Sequence, residues 1–329
     1  MSTLQAKNQD EEFTLGGSNY DGDFNPNSSK PKPPIQTPID VDDETYSDEE
    51  KVDVNKIRVR VDDPSPLVLL FGPKGSGKTM ALVRLTRYLE DQGYQLEPYR
   101  IFRPSHDKHY QKICNSYKSL CYSNYAPGGN DVINFMLVKV LDKYGRTICQ
   151  ILEAPGEHYF DARFPNKPFP TYIQQIIAQN MSNKRIWAFI VQKGWNPDKE
   201  TNANGEDIDS EMIQTQYVQR VQQIHSTRRD RAIFICHKVD ENKESTLFIG
   251  DRPNTKRFKH DIRYQYRGIF NNWKNTNPLT KWFKPEKFLF VPFSAGAFTT
   301  EESGRQQYIT GDDWYPRMLW KAIIKQLKN

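Results

Sequence analysis

The residues best suited to chemistry lie in one short stretch, Gly72-Pro73-Lys74-Gly75-Ser76-Gly77-Lys78-Thr79. It matches the pattern G-x-x-x-x-G-K-S/T, in which the glycines let backbone N–H groups curl inward around phosphate oxygens. In such a loop Lys78 reaches the terminal phosphates and the Thr79 hydroxyl ligates Mg²⁺. The stretch therefore predicts a phosphate-binding loop formed by Gly72, Lys74, Gly75, Ser76, Gly77, Lys78 and Thr79.

An apolar run precedes this loop and an amphipathic run follows it. Leu67 to Phe71 are all apolar, as expected of a strand that is buried on both faces. From Met80 to Glu90 apolar residues recur at helical spacing, and the pattern ends before Gly93. A chance glycine-rich turn would lack both neighbours. The N-terminus of the predicted helix adds partial positive charge beneath the phosphates.

Three further polar stretches follow apolar runs in the same way. They are Glu153 to His158 after the run 146–152, His237 to Asp240 after 231–236, and Ser294 to Gly296 after 287–293. Ligands of open parallel sheets bind beyond the carboxyl ends of the strands. We therefore expect these stretches to converge with the glycine-rich loop on one site.

Strand and helix patterns alternate along the chain, which predicts an α/β fold with a mostly parallel sheet and helices on both faces. Strands are predicted at 57–61, 67–71, 132–141, 146–152, 185–191, 231–236 and 287–293, and helices at 80–90, 211–229 and 312–327. A turn at Asp142 to Gly145 joins 132–141 to 146–152, so this hairpin predicts one antiparallel edge strand. The stretch from Tyr94 to about Asn130 gives no clear pattern.

Composition separates the first 50 residues from the rest of the 329-residue chain. Residues 1–50 hold 12 acids and 3 lysines, whereas the remainder holds 29 acids and 43 bases. We interpret 1–50 as a disordered acidic tail, either solubilising or acting as a docking arm. Residues 51–329 are predicted to form one domain with polar insertions near 196–210 and 241–285.

Cysteine spacing and hydrophobicity also indicate the cellular compartment. The four cysteines show no paired spacing, which favours reduced thiols. No N-terminal apolar segment resembles a signal peptide, and no apolar run reaches the roughly 20 residues that a membrane span needs. We therefore expect a cytoplasmic protein without a membrane span.

The set and order of these motifs resemble the P-loop GTPases of the translation-factor and Ras-like class, over about residues 55–329. The glycine-rich loop matches that family's P-loop in full. Glu153-Ala154-Pro155-Gly156 is similar to D-x-x-G with Glu for Asp, and His237-Lys238-Val239-Asp240 is similar to N-K-x-D or T-K-x-D with His first. Ser294-Ala295-Gly296 is similar to S-A-K with Gly for Lys. The resemblance implies a P-loop NTPase fold and a Mg²⁺-dependent GTPase that acts as a molecular switch.

At the phosphate end, the resemblance implies that Thr79 and Glu153 hold Mg²⁺, Glu153 through a water. The Gly156 N–H would sense the γ-phosphate. Lys78 is an expected catalytic residue, and Glu157 or His158 would orient the attacking water, unless neither does and hydrolysis is slow. The first switch of the family carries a Thr, and none is found near Gly128 to Asp131. Lys74 either supplies positive charge to the γ-phosphate in cis or points into solvent.

At the base end, the resemblance implies that Asp240 accepts two hydrogen bonds from guanine, at N1 and the exocyclic amine. The stem of Lys238 would pack over the base, and the Ala295 N–H, next to Ser294, would contact guanine O6. His237 stands where the family's Asn braces the P-loop. Adenine lacks the two donors at the matching edge, so ATP would leave the carboxylate unpaired.

Two other functions remain open at this point. The chain is an ATP-using P-loop enzyme if the His237–Asp240 match is accidental, and a nucleotide-binding scaffold if Glu153 and the missing Thr prevent hydrolysis. The expected partners are GTP or GDP and an effector or regulator protein of unknown identity. Residues 254–287 mix Lys and Arg with aromatic side chains, but we interpret them as an ordinary amphipathic insertion and do not expect nucleic acid as a partner.

Overall fold

A computed structural model describes residues 57–125, 136–161, 164, 166–178, 183–192, 210–224, 229–242, 248–249, 252–274, 286–301 and 306–329. Its centre is a sheet of seven strands, which are β1 (Leu67–Phe71), β2 (Gln95–Pro98), β3 (Met136–Leu141), β4 (Thr147–Glu153), β5 (Arg185–Val191), β6 (Arg231–Cys236) and β9 (Phe288–Pro292). Their spatial order is β2-β3-β4-β1-β5-β6-β9. All neighbours from β4 to β9 are parallel, so the predicted mostly parallel α/β sheet is confirmed.

Two small antiparallel ribbons lie outside this sheet. One pairs β7 (Phe248–Ile249) with β8 (Arg252–Pro253), and the other pairs β10 (Gly296–Thr300) with β11 (Gln306–Thr310). The helices that the structure describes are α1 (Lys78–Asp91), α2 (Lys108–Tyr122), α3 (Gly156–Tyr159), α4 (Thr171–Ala178), α5 (Ser210–Gln222), α6 (Thr255–Gln265) and α7 (Trp314–Lys328). Short 3-10 turns occupy Arg100–Phe102, Val239–Asn242 and Ile269–Trp273.

The central strand β1 is buried on both faces, as its continuous apolar run predicts. Val68 and Leu70 face α1 and α7, where they lie beside Leu82 and Leu319. On the opposite face the ring of Phe71 packs against Tyr159 and Tyr217, with centroid distances of 4.6 and 5.9 Å. Helices thus cover both faces, and the carboxyl end of β1 opens directly into the glycine-rich loop.

The antiparallel strand is not the outermost one. β3 runs antiparallel to β4, as the predicted hairpin requires, but β2 pairs beyond β3 and forms the edge. Sequence patterning missed β2 because only Leu96 among its four residues is buried, which leaves no alternation to detect.

The strand predicted at 57–61 is absent. Ile57 is buried and Val59 and Val61 are half-buried, so the alternating residues do face the core. The segment nevertheless lies outside the sheet, and the Arg60 N–H donates to Phe102 O (2.8 Å) in a 3-10 turn instead of to a strand. The alternating pattern correctly predicted which side chains are buried here, but it does not predict which backbone groups form hydrogen bonds with each other.

The predicted helix 211–229 ends earlier, at Gln222. Gln223 N–H donates to Arg220 O and Ile224 N–H to Val221 O, so the chain tightens into i→i−3 bonds and then buries Ile224. The remaining predicted strands and the C-terminal helix agree with β5, β6, β9 and α7 within one or two residues at each end. Within 241–285 the structure describes one helix, α6, and the 3-10 turn at 269–273.

Some predictions fall on residues that the structure does not describe. These are the acidic tail 1–50, the place of the family's first switch near Gly128 to Asp131, the first residues of the strand predicted at 132–141, the insertion near 196–210 except Ser210, and parts of the insertion 241–285. Among the described residues, no helix combines the length and apolarity that a membrane crossing requires. All four cysteines are buried and free.

Candidate functional site

The glycine-rich loop turns sharply between β1 and α1. Gly75 and Gly77 have φ angles of +69° and +87°, in the left-handed region that side chains disfavour. The turn is closed by a hydrogen bond from the Ser76 N–H to Pro73 O (3.3 Å). These glycines are thus required by backbone geometry, which explains their positions in the motif.

Lys78, the first residue of α1, folds back over the loop. Its Nζ donates to Gly72 O (3.0 Å) and Pro73 O (2.9 Å). Burial lowers the pKa of this amine to about 8, and the carboxylates of Glu153 and Glu157 oppose that shift. The ammonium is therefore held inside the loop and faces two acids.

Thr79 and Glu153 meet beside Lys78. The Thr79 hydroxyl donates to Glu153 Oε1 (2.9 Å), which connects the start of α1 to the end of β4. Burial raises the pKa of Glu153 to about 7, while Lys78 and Thr79 lower it and Glu157 raises it further. A hydroxyl and a carboxylate are hard oxygen donors, and Mg²⁺ takes only one or two protein carboxylates alongside phosphate and water. The residues present therefore fit that ion.

Gly156 brings the segment after β4 against the loop. A Cβ on this residue would lie 2.1 Å from Lys74 N and 2.3 Å from Pro73 C, so no other residue fits without moving the backbone. The side chain of Lys74 itself is exposed, which agrees with the solvent-pointing alternative. Gly156 thus lies where it can respond to what the loop binds.

Glu157 and His158 follow within the single turn of α3. Glu157 is half-buried and acts electrostatically on Lys78 and Glu153. His158 Nδ1 is 2.6 Å from the hydroxyl of Tyr172, and burial lowers the pKa of this histidine to about 4. His158 is therefore a neutral imidazole with a fixed ring orientation near pH 7.

His237 lies directly beneath the loop. A Cβ at Gly77 would lie 2.5 Å from its Cε1 and 2.7 Å from its Nε2, and its ring stacks on Phe293 at 5.5 Å. Neither ring nitrogen has a hydrogen-bond partner among the described residues. Burial, aided by Lys238, lowers the pKa of His237 to about 3. His237 therefore supports the loop by packing, at the place where the resembling family's Asn braces it.

The loops after β6 and β9 are joined to each other. Phe293 N–H donates to Cys236 O (2.7 Å) and Val239 N–H to Phe293 O (3.3 Å). These bonds place the turn that contains Asp240 beside Ser294 and Ala295, both of which are buried. Lys238 has a φ of +56°, an uncommon conformation for a residue with a side chain. Tertiary bonds on either side of Lys238 thus fix a backbone shape that it would not adopt alone.

Sequence reasoning missed the ribbon β10–β11, which follows directly on Ala295. The Tyr308 hydroxyl donates to Ala295 O (2.6 Å), and Tyr308 N–H donates to Asn124 O (2.6 Å). From α1, Arg84 donates to Gly311 O (2.6 Å) and Arg87 covers the Tyr308 ring at 4.9 Å. The ribbon therefore connects the loop after β9 to α1 and to the end of α2.

Gly296 is the first residue of that ribbon. Its backbone explains why the chain lacks the lysine of the family's S-A-K motif. Its φ is +131°, and a Cβ would lie 2.2 Å from Ile309 O. A lysine, which the S-A-K motif has at this place, does not fit against β11. The glycine is the signal from which a close backbone approach could have been predicted.

The comparisons with known proteins concern the fold. No protein-family model matches the sequence, and no curated protein matches it. A structure described as nucleolar GTP-binding protein 1 from Plasmodium falciparum aligns with 83% of this chain and 91% of its own, at 14% identity and a TM-score of 0.39. The S. cerevisiae Ski7 GTPase-like domain, bound to GTP, aligns with 70% of this chain and 43% of its own, at 12% identity and a TM-score of 0.32. Similarity at this level assigns no role to any residue. The strand–loop–helix unit at the centre of the parallel sheet is itself that of an α/β P-loop NTPase fold.

Proposed function

We propose that this protein binds GTP with Mg²⁺, hydrolyses it to GDP and phosphate, and acts as a molecular switch. The observation that carries the proposal is the convergence of four loops at the carboxyl ends of β1, β4, β6 and β9. In this proposal the loops after β1 and β4 would supply groups for phosphate and metal, and those after β6 and β9 would supply groups for the base. Such a convergence beyond the strand ends is where open α/β sheets bind ligands.

At the phosphate end, the proposal assigns Lys78 to the terminal phosphates. Its amine is already desolvated and held by Gly72 O and Pro73 O. The side chain therefore loses little conformational freedom when it binds phosphate. Thr79 and Glu153 would hold Mg²⁺, which supplies positive charge to the phosphate oxygens. The Gly156 N–H would meet the γ-phosphate from the opposite side of the loop, with which Gly156 is already in contact.

Hydrolysis requires a water to attack the γ-phosphorus while the bond to the bridging oxygen breaks and GDP leaves. Glu157 and His158 follow Gly156, so they are the candidates to orient this water. His158 is neutral and its Nδ1 is engaged by Tyr172. In the tautomer whose Nδ1–H donates to the tyrosine oxygen, Nε2 is the nitrogen that can accept from water. Glu157 remains the alternative because it lies within electrostatic reach of Lys78.

The switch proposal rests on how the segment after β4 is held. Arg220 of α5 donates from Nε to Tyr159 O (2.8 Å), and its guanidinium lies 3.5 Å from the centroid of the Phe169 ring. A displacement of Gly156 by the γ-phosphate would therefore be transmitted to α5 through Tyr159 and Arg220. An effector or regulator protein would read that displacement.

At the base end, Asp240 would accept the two guanine donors, with Lys238 over the ring and the Ala295 N–H at O6. ATP would leave that carboxylate without donors, and a hydrogen bond to a charged group contributes roughly 1.5–3 kcal/mol net. We therefore expect GTP to bind more tightly than ATP by about 10- to 100-fold or more. Asp240→Asn should move the preference towards XTP, whose C2 carbonyl can accept from the new amide.

The test is a titration of GTP, ATP and XTP against the wild type and Asp240→Asn. Asp142→Asn is the matched control, because Asp142 lies in the β3–β4 turn, at the opposite end of β4 from Glu153. Equal GTP and ATP affinity in the wild type, or an unaltered preference in Asp240→Asn, would favour the ATPase alternative. Lys78→Ala should abolish tight binding of every nucleotide while the protein stays folded.

One observation favours a scaffold that binds nucleotide with little hydrolysis. Glu153, in place of the family's Asp, is buried with a pKa raised to about 7, so its charge is only partly established near neutral pH. A single-turnover assay with excess protein over GTP separates the two functions. Phosphate release at no more than the rate seen without protein would support the scaffold.

A further inference from the structure

Helix α6 is firmly attached to the domain by one of its sides. Phe258 and Ile262 are buried, and the Asn254 side chain caps the helix by accepting from the Arg257 N–H (3.2 Å). Its opposite side is exposed among the residues that the structure describes. Lys256, Arg257, His260, Tyr264 and, just beyond the helix end, Arg267 are all exposed. We call this set the basic face of α6.

The members of the basic face form one stripe, because residues three, four and seven apart lie on the same side of a helix. Tyr264 lies in the stripe and is 74% exposed, more than any other large apolar side chain that the structure describes. Successive turns place these side chains about 5.4 Å apart along the helix axis. The stripe therefore presents an aromatic ring with positive charge on both sides of it.

The structure separates paired from unpaired cations in this region. Arg252 pairs with Asp312 (2.7 Å), and Lys259 and Arg263 pair with Glu286. Lys256, Arg257 and Arg267 have no ion-pair partner among the residues that the structure describes. The positive charge of the basic face is therefore not neutralised by the described part of the domain.

Few acidic residues lie within the stretch of chain that carries the basic face. Residues 252–274 contain seven Lys and Arg residues and one acid, Asp261. Asp261 is 30% exposed, its Oδ1 lies 3.6 Å from Nδ1 of His260, and it lies close enough to the buried Cys236 to help raise the pKa of that thiol. Within the basic face it therefore lies against His260 and not against Lys256, Arg257 or Arg267. No acid occupies the first turn of α6, where the helix adds its own partial positive charge.

We propose that the basic face of α6 binds single-stranded nucleic acid without strong sequence preference. Lys256, Arg257 and Arg267 would contact phosphates, and Tyr264 would stack on a base. An acidic peptide would use the cations but has no use for the exposed ring. An anionic membrane would need apolar side chains to insert, and those of α6 face the domain.

No member of the basic face belongs to the proposed nucleotide site, and the proposal does not depend on nucleotide specificity. The experiment measures fluorescence anisotropy of a labelled 12-nucleotide oligouridylate and of oligothymidylate with the full chain, at 50 to 200 mM salt. Both probes carry 5′-hydroxyl ends, and excess GTP with Mg²⁺ is present, so that the P-loop does not bind them. The comparison of the two probes shows whether RNA or DNA is preferred.

Tyr264→Ala should weaken binding roughly 5- to 150-fold, the effect of losing one stacked base. Tyr144→Ala is its matched control, because Tyr144 is also exposed (70%) and lies near Lys143 and Arg146, and it should bind like the wild type. The triple variant Lys256→Glu, Arg257→Glu, Arg267→Glu should reduce the slope of log affinity against log salt by about 2, since each lost phosphate contact contributes about 0.7.

The control for the triple variant reverses three exposed cations of α7, with Arg317→Glu, Lys321→Glu and Lys328→Glu. Equal weakening by both triple variants would show attraction by net charge alone and overturn the proposal. Absence of binding at 50 mM salt would overturn it as well. Competition by polyglutamate, or by anionic lipid vesicles, as effective as that by unlabelled oligonucleotide would assign the face to another partner. Unchanged melting temperatures and GTP affinities in all variants would show that any loss belongs to this surface.

Discussion

His237 is a buried polar ring that is held by packing. It lies against Gly77 and Phe293, and neither of its nitrogens has a hydrogen-bond partner among the described residues. An unpaired buried polar atom costs free energy of folding. The motif placed His237 correctly at the end of a buried strand, but it could not reveal that the ring would pack against Gly77 without a hydrogen-bond partner among the described residues.

This burial predicts a loss of stability in acid. The pKa of His237 is lowered to about 3 in the folded protein, against about 6.5 when unfolded, so the unfolded state binds more protons between these two values. Stability is then fully present above pH 6.5 and falls as the pH drops towards 3. At pH 5 the loss is about 2 kcal/mol.

Urea unfolding of the wild type and of His237→Asn at pH 7.5 and pH 5 measures this loss. The wild type should lose more stability between the two pH values, because Asn does not titrate. His158 shifts in the same direction, with its pKa lowered to about 4, so His158→Asn serves as the comparison for a second buried histidine. Parallel losses in the wild type and His237→Asn would show that His237 does not stay neutral in the folded protein.

The ribbon β10–β11 is the element that holds the loop after β9. Tyr308 connects Ala295 O to Asn124 O through its hydroxyl and its backbone N–H, and Arg87 covers its ring. Ala295 O also accepts from the Gly311 N–H at 3.3 Å, so loss of the tyrosine hydroxyl loosens this loop without leaving the carbonyl unpaired. Because Ala295 is proposed to contact guanine O6, the ribbon should affect how tightly the base is bound.

We expect Tyr308→Phe to weaken GTP binding by about fivefold, since a single neutral hydrogen bond contributes about 1 kcal/mol. Affinity for inorganic tripolyphosphate should not change, because that ligand engages only the P-loop. Isothermal titration with both ligands measures the difference. Thr299→Ala on the exposed face of the ribbon is the control, and a Tyr308→Phe variant with wild-type GTP affinity would contradict the role given to the ribbon.

Elements with a strong local pattern could be predicted from the sequence. β5 and β6 were predicted with the bounds that the structure gives, because each is a continuous apolar run between polar stretches. β10 and β11 were missed because their threonines and glutamines form no apolar face. Their position also depends on hydrogen bonds with Arg87 and Asn124, which lie far away in the chain. The basic face of α6 was visible as composition, but only the structure distinguishes its unpaired cations from those that pair with Glu286 and Asp312.

At the scale of the whole molecule, the proposed binding site and a buried ion pair lie at opposite ends of the sheet. The proposed site lies at the carboxyl ends of the strands, whereas a buried ion pair joins the amino ends of β5 and β6. There Arg185 donates to both carboxylate oxygens of Asp230, at 3.1 and 2.9 Å, and also to Ile177 O (2.5 Å). Seven strand residues, or about 23 Å at 3.3 Å per residue, separate this pair from the loops that would bind nucleotide.

Asp230→Ala should therefore reduce stability without changing nucleotide affinity. It leaves the Arg185 guanidinium buried without its counter-charge, which costs about 3–5 kcal/mol. Asp230→Asn keeps a hydrogen-bond acceptor and should lose less. Denaturant unfolding gives the stability, and GTP titration well below the melting temperature gives the affinity. A change in GTP affinity as large as that in stability would show that the two ends of the sheet are coupled.

The position of β1 in the sheet also decides when the phosphate loop can form during folding. Leu67 pairs with Gln150 on one side and with Arg185 on the other, so both neighbours of β1 are supplied by chain that is synthesised much later. Closing such long loops is entropically costly and makes folding slow. A nascent chain that has emerged only as far as α1 contains every residue of the glycine-rich motif but has no sheet on which to support it. We therefore expect that the proposed nucleotide site can form only after β4 and β5 have been made.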